Sequence, residues 1–154
     1  ALASTATGWV ALADPAAAVA LLARLRAVAG DRVTAFELVS RASLGLVLQH
    51  IPDTRDPLAE PHPWYVLLEL SDALAQTALD GLLEETLERA LEAGWVLDAC
   101  LARSEAQAAA LWALRENISE AQKREGISIK HDISLPVSGV PAFLEAAEAA
   151  LKRA

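Results

Sequence analysis

The chain has 154 residues, 54% apolar and 22% charged, so it reads as one globular domain and not as a disordered segment. A formal net charge of −8 disfavours nucleic-acid and anionic-membrane partners, both of which need a basic face. No apolar run approaches the ~18 residues of a membrane span, and the N-terminus lacks the basic start of a signal peptide.

Residues 1–5 carry no element signal. Thr7 to Ala13 reads as a first strand. Asp14 then offers an N-cap with Pro15 at the first helical position, and Gly30 stands just past the end of an Ala/Val/Leu/Arg helix. Val33 to Val39 is the second strand. Ser40 caps a short helix through Gln49 that turns Leu44, Val47 and Leu48 inward. His50 to Pro63 is irregular, with Pro52, Pro57, Pro61 and Pro63, and reads as a rigid surface excursion or a functional loop. His50 and His62 lie in it, but no further ligand stands at metal-site spacing, so no metal site is expected in this chain.

Trp64 to Leu70 is the third strand. A helix from Gly81 to Ala93 follows, with Glu84 and Glu85 expected in its first turn and Gly94 at its end. Trp95 to Arg103 is the fourth strand. It holds the single cysteine, Cys100, which excludes an internal disulfide, fits a reducing, cytoplasmic compartment, and reads as a buried inert thiol.

Ser104 and Gln107 have capping-box spacing and open one long helix, Glu105 to Arg124, ended by Gly126. Leu111, Leu114, Ile118 and Ala121 share its buried face. Trp112, Arg115, Ser119 and Gln122 repeat that spacing one residue on, so they flank the core face. Ile127 to Val137 alternates as a fifth strand, with Lys130, Asp132 and Ser134 on one side. A last helix opens at Pro141, with Phe143, Leu144, Ala147 and Leu151 inward.

Strand and helix alternate throughout. No glycine-rich phosphate loop follows any strand, so no cofactor-binding residue is expected here. Glu37, Glu69, Asp98, Lys130 and Asp132 sit in otherwise apolar strands, which argues for one sheet face free of helices. The expected fold is α+β: a ferredoxin-like, largely antiparallel sheet with helices packed on one face. Arg115, Ser119 and Lys130 converge where the long helix meets the fifth strand, and a guanidinium, a hydroxyl and an ammonium make a carboxylate receptor. The plain alternative pairs Arg115 with Glu116 or another acid, and Lys130 with Asp132, on a solvated surface.

Trp112-Ala113-Leu114-Arg115-Glu116, Ile118-Ser119-Glu120-Ala121, Gly126 and Lys130-His131-Asp132-Ile133-Ser134-Leu135-Pro136-Val137 together resemble the C-terminal substrate domain of FAD-linked oxidases, in the D-2-hydroxyglutarate, D-lactate and glycolate dehydrogenase group. Phe36-Glu37-Leu38, Pro57-Leu58 and Trp64 to Glu69 extend the likeness upstream. The resemblance implies that Arg115, Ser119 and Lys130 bind substrate: Arg115 as the family arginine that contacts a substrate carboxylate, Lys130 as the family lysine on the following strand, and Ser119 through its hydroxyl. It implies that the full-length enzyme oxidises a D-2-hydroxy acid to a 2-oxo acid on FAD, with a divalent metal held by a later segment. Residues 1–154 would be a single domain excised from that enzyme and inactive alone, with the FAD-binding domain of the same polypeptide as its partner. The catalytic residues, the particular hydroxy acid and the electron acceptor are left open. Two rival readings remain: a free-standing small-acid binding module, and an interaction domain whose open sheet face pairs with a second copy.

Overall fold

The computed structural model describes residues 4–73, 76–126 and 133–135. Its elements are β1 (Ser4–Leu12), α1 (Pro15–Ala29), β2 (Val33–Ser40), α2 (Arg41–His50), β3 (Trp64–Asp72), α3 (Gln76–Ala93), β4 (Asp98–Leu101), α4 (Glu105–Glu116), α5 (Ile118–Glu125) and β5 (Ile133–Leu135). The expected fifth strand is thus described over Ile133–Leu135 alone. Lys130 and the segment from Pro141 lie outside the described residues.

One sheet joins the strands in the order β4-β1-β3-β2-β5, with every pairing antiparallel. The order β4-β1-β3-β2, with α1 and α3 on one face, is the ferredoxin-like arrangement and bears out the α+β, antiparallel expectation. Val10, Leu12, Val66, Leu68 and Leu70 meet Leu21, Leu22 and Leu25 of α1 and Leu79, Leu83 and Leu87 of α3 in the first core layer.

The expectation of helices on one face only is overturned. Trp9, Ala11, Val39, Tyr65 and Leu67 point the other way into a second buried layer. Leu44 and Val47 of α2, Leu111 and Leu114 of α4, and Ile118 and Ala121 of α5 cover it. Trp9-Val10-Ala11-Leu12 and Tyr65-Val66-Leu67-Leu68 are each fully buried, because both sides of these strands face helices. The sheet face expected to be open for pairing with a second copy is therefore covered by the chain's own helices.

Several local signals act as expected. The Asp14 carboxylate accepts from Ala17 N–H, and the Ser40 and Ser104 hydroxyls accept from Ser43 and Gln107 N–H. Gly126 takes φ +79° and returns its N–H to Gln122 and Lys123, a left-handed cap that a side chain would strain. Elsewhere the boundaries move. Because α3 begins at Gln76, Glu84 and Glu85 fall beyond its first turn, where they pair with Arg103 and Arg89. Trp95 and Val96 N–H both return to Ala90 O, so β4 starts only at Asp98.

The single long helix expected from Glu105 to Arg124 is divided at Asn117. The Asn117 N–H and its side-chain amide both donate to Ala113 O, and its backbone sits at φ −90°, ψ 3°. A short amide side chain that bonds its own helix competes with the regular ladder at that point.

Candidate functional site

The polar end of the second layer lies beneath α4. In register across the sheet, Thr7 of β1 faces Glu69 of β3, while Glu37 of β2 faces Leu67 of β3 and Ser134 of β5. Helix α4 carries two donors one turn apart on its sheet side. Trp112 Nε1 donates to Glu69 Oε2 at 3.0 Å, and Thr7 Oγ1 donates to the same oxygen at 3.2 Å. Arg115 Nε lies 3.5 Å from Glu37 Oε2, an ion pair with side chains 23% and 11% exposed. A charge pair so far from water is screened much less than one on the surface.

Arg115 thus pairs with an acid, as the plain alternative had it, but the acid is Glu37 in the sheet and the pair is largely buried. The i, i+3 spacing of Trp112 and Arg115 was visible in the sequence. Its target was not, because Glu37 and Glu69 read as solvent-facing strand residues. The available signal was that both carboxylates interrupt strands apolar on either side. Ser119 is exposed in the first turn of α5, beyond the break at Asn117, and makes no hydrogen bond among the described residues. Of the expected trio, Arg115 is placed against the sheet and Ser119 on the surface. Lys130 lies outside the described residues.

The 51–63 segment is anchored to the same sheet face. Arg41 Nη1 donates to Asp56 Oδ2 at 2.7 Å and to Tyr65 Oη at 2.9 Å, while Tyr65 Oη also accepts from His62 N–H at 3.0 Å. The Asp56 hydrogen bond raises the Arg41 pKa against an opposing desolvation, so the guanidinium stays charged. Cys100 borders a mainly apolar recess of about 330 Å³ with Pro57, Leu111 and Leu114. Burial, and secondarily the Asp98 charge, push its thiol pKa up, which keeps it protonated and unreactive. Among the described residues, no group of three or more His, Cys, Asp or Glu side chains is placed to hold a metal ion. None of the described helices is long and apolar enough to cross a membrane.

The family described as FAD linked oxidases, C-terminal domain, matches residues 2–154. The chain is 40% identical over 120 residues to D-2-hydroxyglutarate dehydrogenase of Xanthomonas citri pv. viticola, covering 78% of this chain and 24% of that protein. It is 32% identical over 139 residues to the mitochondrial D-2-hydroxyglutarate dehydrogenase of Arabidopsis thaliana, covering 90% and 25%. It is 40% identical over 117 residues to the enzyme of the same name from Stutzerimonas stutzeri, covering 76% and 24%. The chain therefore spans about a quarter of the length of the curated relatives it matches. With a match from residue 2 to residue 154, the chain belongs to the FAD linked oxidase C-terminal domain family.

Proposed function

We propose that this chain is the substrate-binding domain of an FAD-dependent dehydrogenase that oxidises a D-2-hydroxy acid to the 2-oxo acid, with D-2-hydroxyglutarate the first substrate to test. Arg115, Ser119 and Lys130 are the residues proposed to hold a substrate carboxylate. The observation that carries the reading is the setting of Arg115. A guanidinium held at a helix–sheet junction, against an apolar layer and mostly out of water, suits bidentate capture of a carboxylate.

No group of three or more His, Cys, Asp or Glu side chains among the described residues is placed to hold a metal ion. Gly30, Gly94 and Gly126, the described glycines with positive φ, each close a helix rather than cradle a phosphate. The domain's own contribution is binding and orientation. In this proposal the FAD and a divalent metal are held elsewhere in the full-length protein, whose FAD-binding domain is this domain's partner. A cytoplasmic setting completes the proposal; the lone free thiol of Cys100 supports it.

The test is turnover by the full-length protein with D-2-hydroxyglutarate, D-lactate and glycolate, followed by reduction of an artificial electron-accepting dye. Turnover of at least one, with 2-oxo acid formed in equal amount, is expected. No turnover of any of the three by flavin-loaded protein would end the reading.

A further inference from the structure

We propose that Glu37 is a positioning residue for Arg115: its carboxylate, fixed in the sheet, draws the Nε side of the guanidinium toward the sheet by charge and so biases the direction in which the terminal amino groups meet a substrate carboxylate. This rests on the substrate-binding reading above and deepens it.

Glu37 is an expensive residue where it stands. It is 8% exposed, near the middle of β2, between Phe36 and Leu38, which both belong to the opposite core layer. A carboxylate removed from water needs a compensating partner. Arg115 supplies the cation, with Nε 3.5 Å from Glu37 Oε2. A buried ion pair contributes little net stability compared with apolar residues in its place, so stability alone gives the pair no purpose. Its geometry supplies one.

Arg115 Nε and Glu37 Oε2 are both buried and do not hydrogen-bond each other, so it is charge, not a directional bond, that draws the Nε side of the planar guanidinium toward the sheet. Among the described residues, no hydrogen bond or ion pair engages Nη1 or Nη2 of Arg115. That leaves the terminal edge for a ligand. Helix α4 is itself pinned one turn earlier, where Trp112 Nε1 donates to Glu69. Helix α4 is thus tied to one sheet carboxylate through Trp112, and the Arg115 guanidinium is ion-paired with another. A cation ordered beforehand loses less freedom on binding than one recruited from solvent.

The experiment is a double-mutant cycle in the full-length protein, with D-2-hydroxyglutarate as probe. Glu37→Leu is expected to lower kcat/KM about ten- to a hundredfold, mainly through KM, because a misdirected fork loses its two-point grip. Glu37→Gln keeps the side chain's shape and removes its charge, and is expected to lose kcat/KM as Glu37→Leu does, because the pair is held by charge. In an Arg115→Ala background, Glu37→Leu should have no further effect. If Leu prevents folding, Glu37→Asp replaces it: the charge is kept but withdrawn by one methylene, and the loss should again vanish without Arg115.

An unchanged kcat/KM in Glu37→Leu, or an equal loss with and without Arg115, would overturn the proposal while leaving Arg115 as a substrate ligand. An unchanged kcat/KM in Arg115→Ala would instead overturn the substrate-binding reading and this inference with it.

Discussion

Trp112 Nε1 donates to Glu69 Oε2 at 3.0 Å, tying the middle of α4 to β3 across the second core layer. Thr7 shares that carboxylate oxygen, so Glu69 keeps a donor when the indole is removed. Trp112→Phe keeps most of the ring and deletes the N–H. It is expected to destabilise the isolated chain by about 1.5–3 kcal/mol, the range for losing a hydrogen bond to a charged acceptor. The isolated chain should unfold cooperatively in urea without added flavin or metal, because its own helices cover both sheet faces. A Trp112→Phe midpoint equal to that of the parent would show that the contact contributes nothing.

Leu67 and Leu68 are adjacent in β3, and both are fully buried, one in each core layer. With helices on both faces, Leu67→Ala and Leu68→Ala should each cost about 2–5 kcal/mol. Under a one-faced sheet, Leu67→Ala would cost a few tenths. Urea midpoints of the two variants separate these outcomes directly.

The difference between one and two core layers shows what was legible in the sequence. Caps and breakers act within a few residues, so Asp14, Pro15, Ser40, Ser104 and Gly126 could be read as they stand. The antiparallel sheet followed from the strand residues and the family resemblance. The second layer did not, because a carboxylate at an alternate strand position, as at Glu37 and Glu69, equally suits a solvent-facing side. Their partners, Arg115 and Trp112, come from a helix far along the chain, and no local pattern states which carboxylate a distant cation will meet. Asn117 was missed for a related reason. Its neighbours are good helix formers, and at Asn117 the side-chain amide joins the backbone N–H on Ala113 O. Arg115 was found from spacing and resemblance together; its pairing with Glu37 needed the fold.

Cys100 gives a prediction in pH. Burial raises its pKa and the fold favours the protonated thiol. The associated stability is full below the unfolded-state thiol pKa and is lost as pH rises through the higher folded value. Alkylation by iodoacetamide near pH 8 should be slower in the native chain than in urea, and should accelerate with a midpoint above that of a free thiol. Cys100→Ala should flatten the alkaline loss of stability. Equal native and denatured alkylation rates would contradict the assignment.

The most direct measurement is kcat/KM for Arg115→Lys in the full-length protein, alongside the stability of the isolated domain carrying the same change. Lys keeps a positive charge toward Glu37, so the buried carboxylate is not left uncompensated and the stability loss should stay well below the about 3–5 kcal/mol of removing one partner of a buried pair. It cannot reproduce the planar fork, and each lost charge-assisted bond is worth about 1.5–3 kcal/mol, so kcat/KM with D-2-hydroxyglutarate should fall roughly ten- to a hundredfold or more. That combination is the predicted result. An unchanged kcat/KM, or an activity loss matched by a proportionate loss of stability, would contradict the claim that Arg115 grips the substrate.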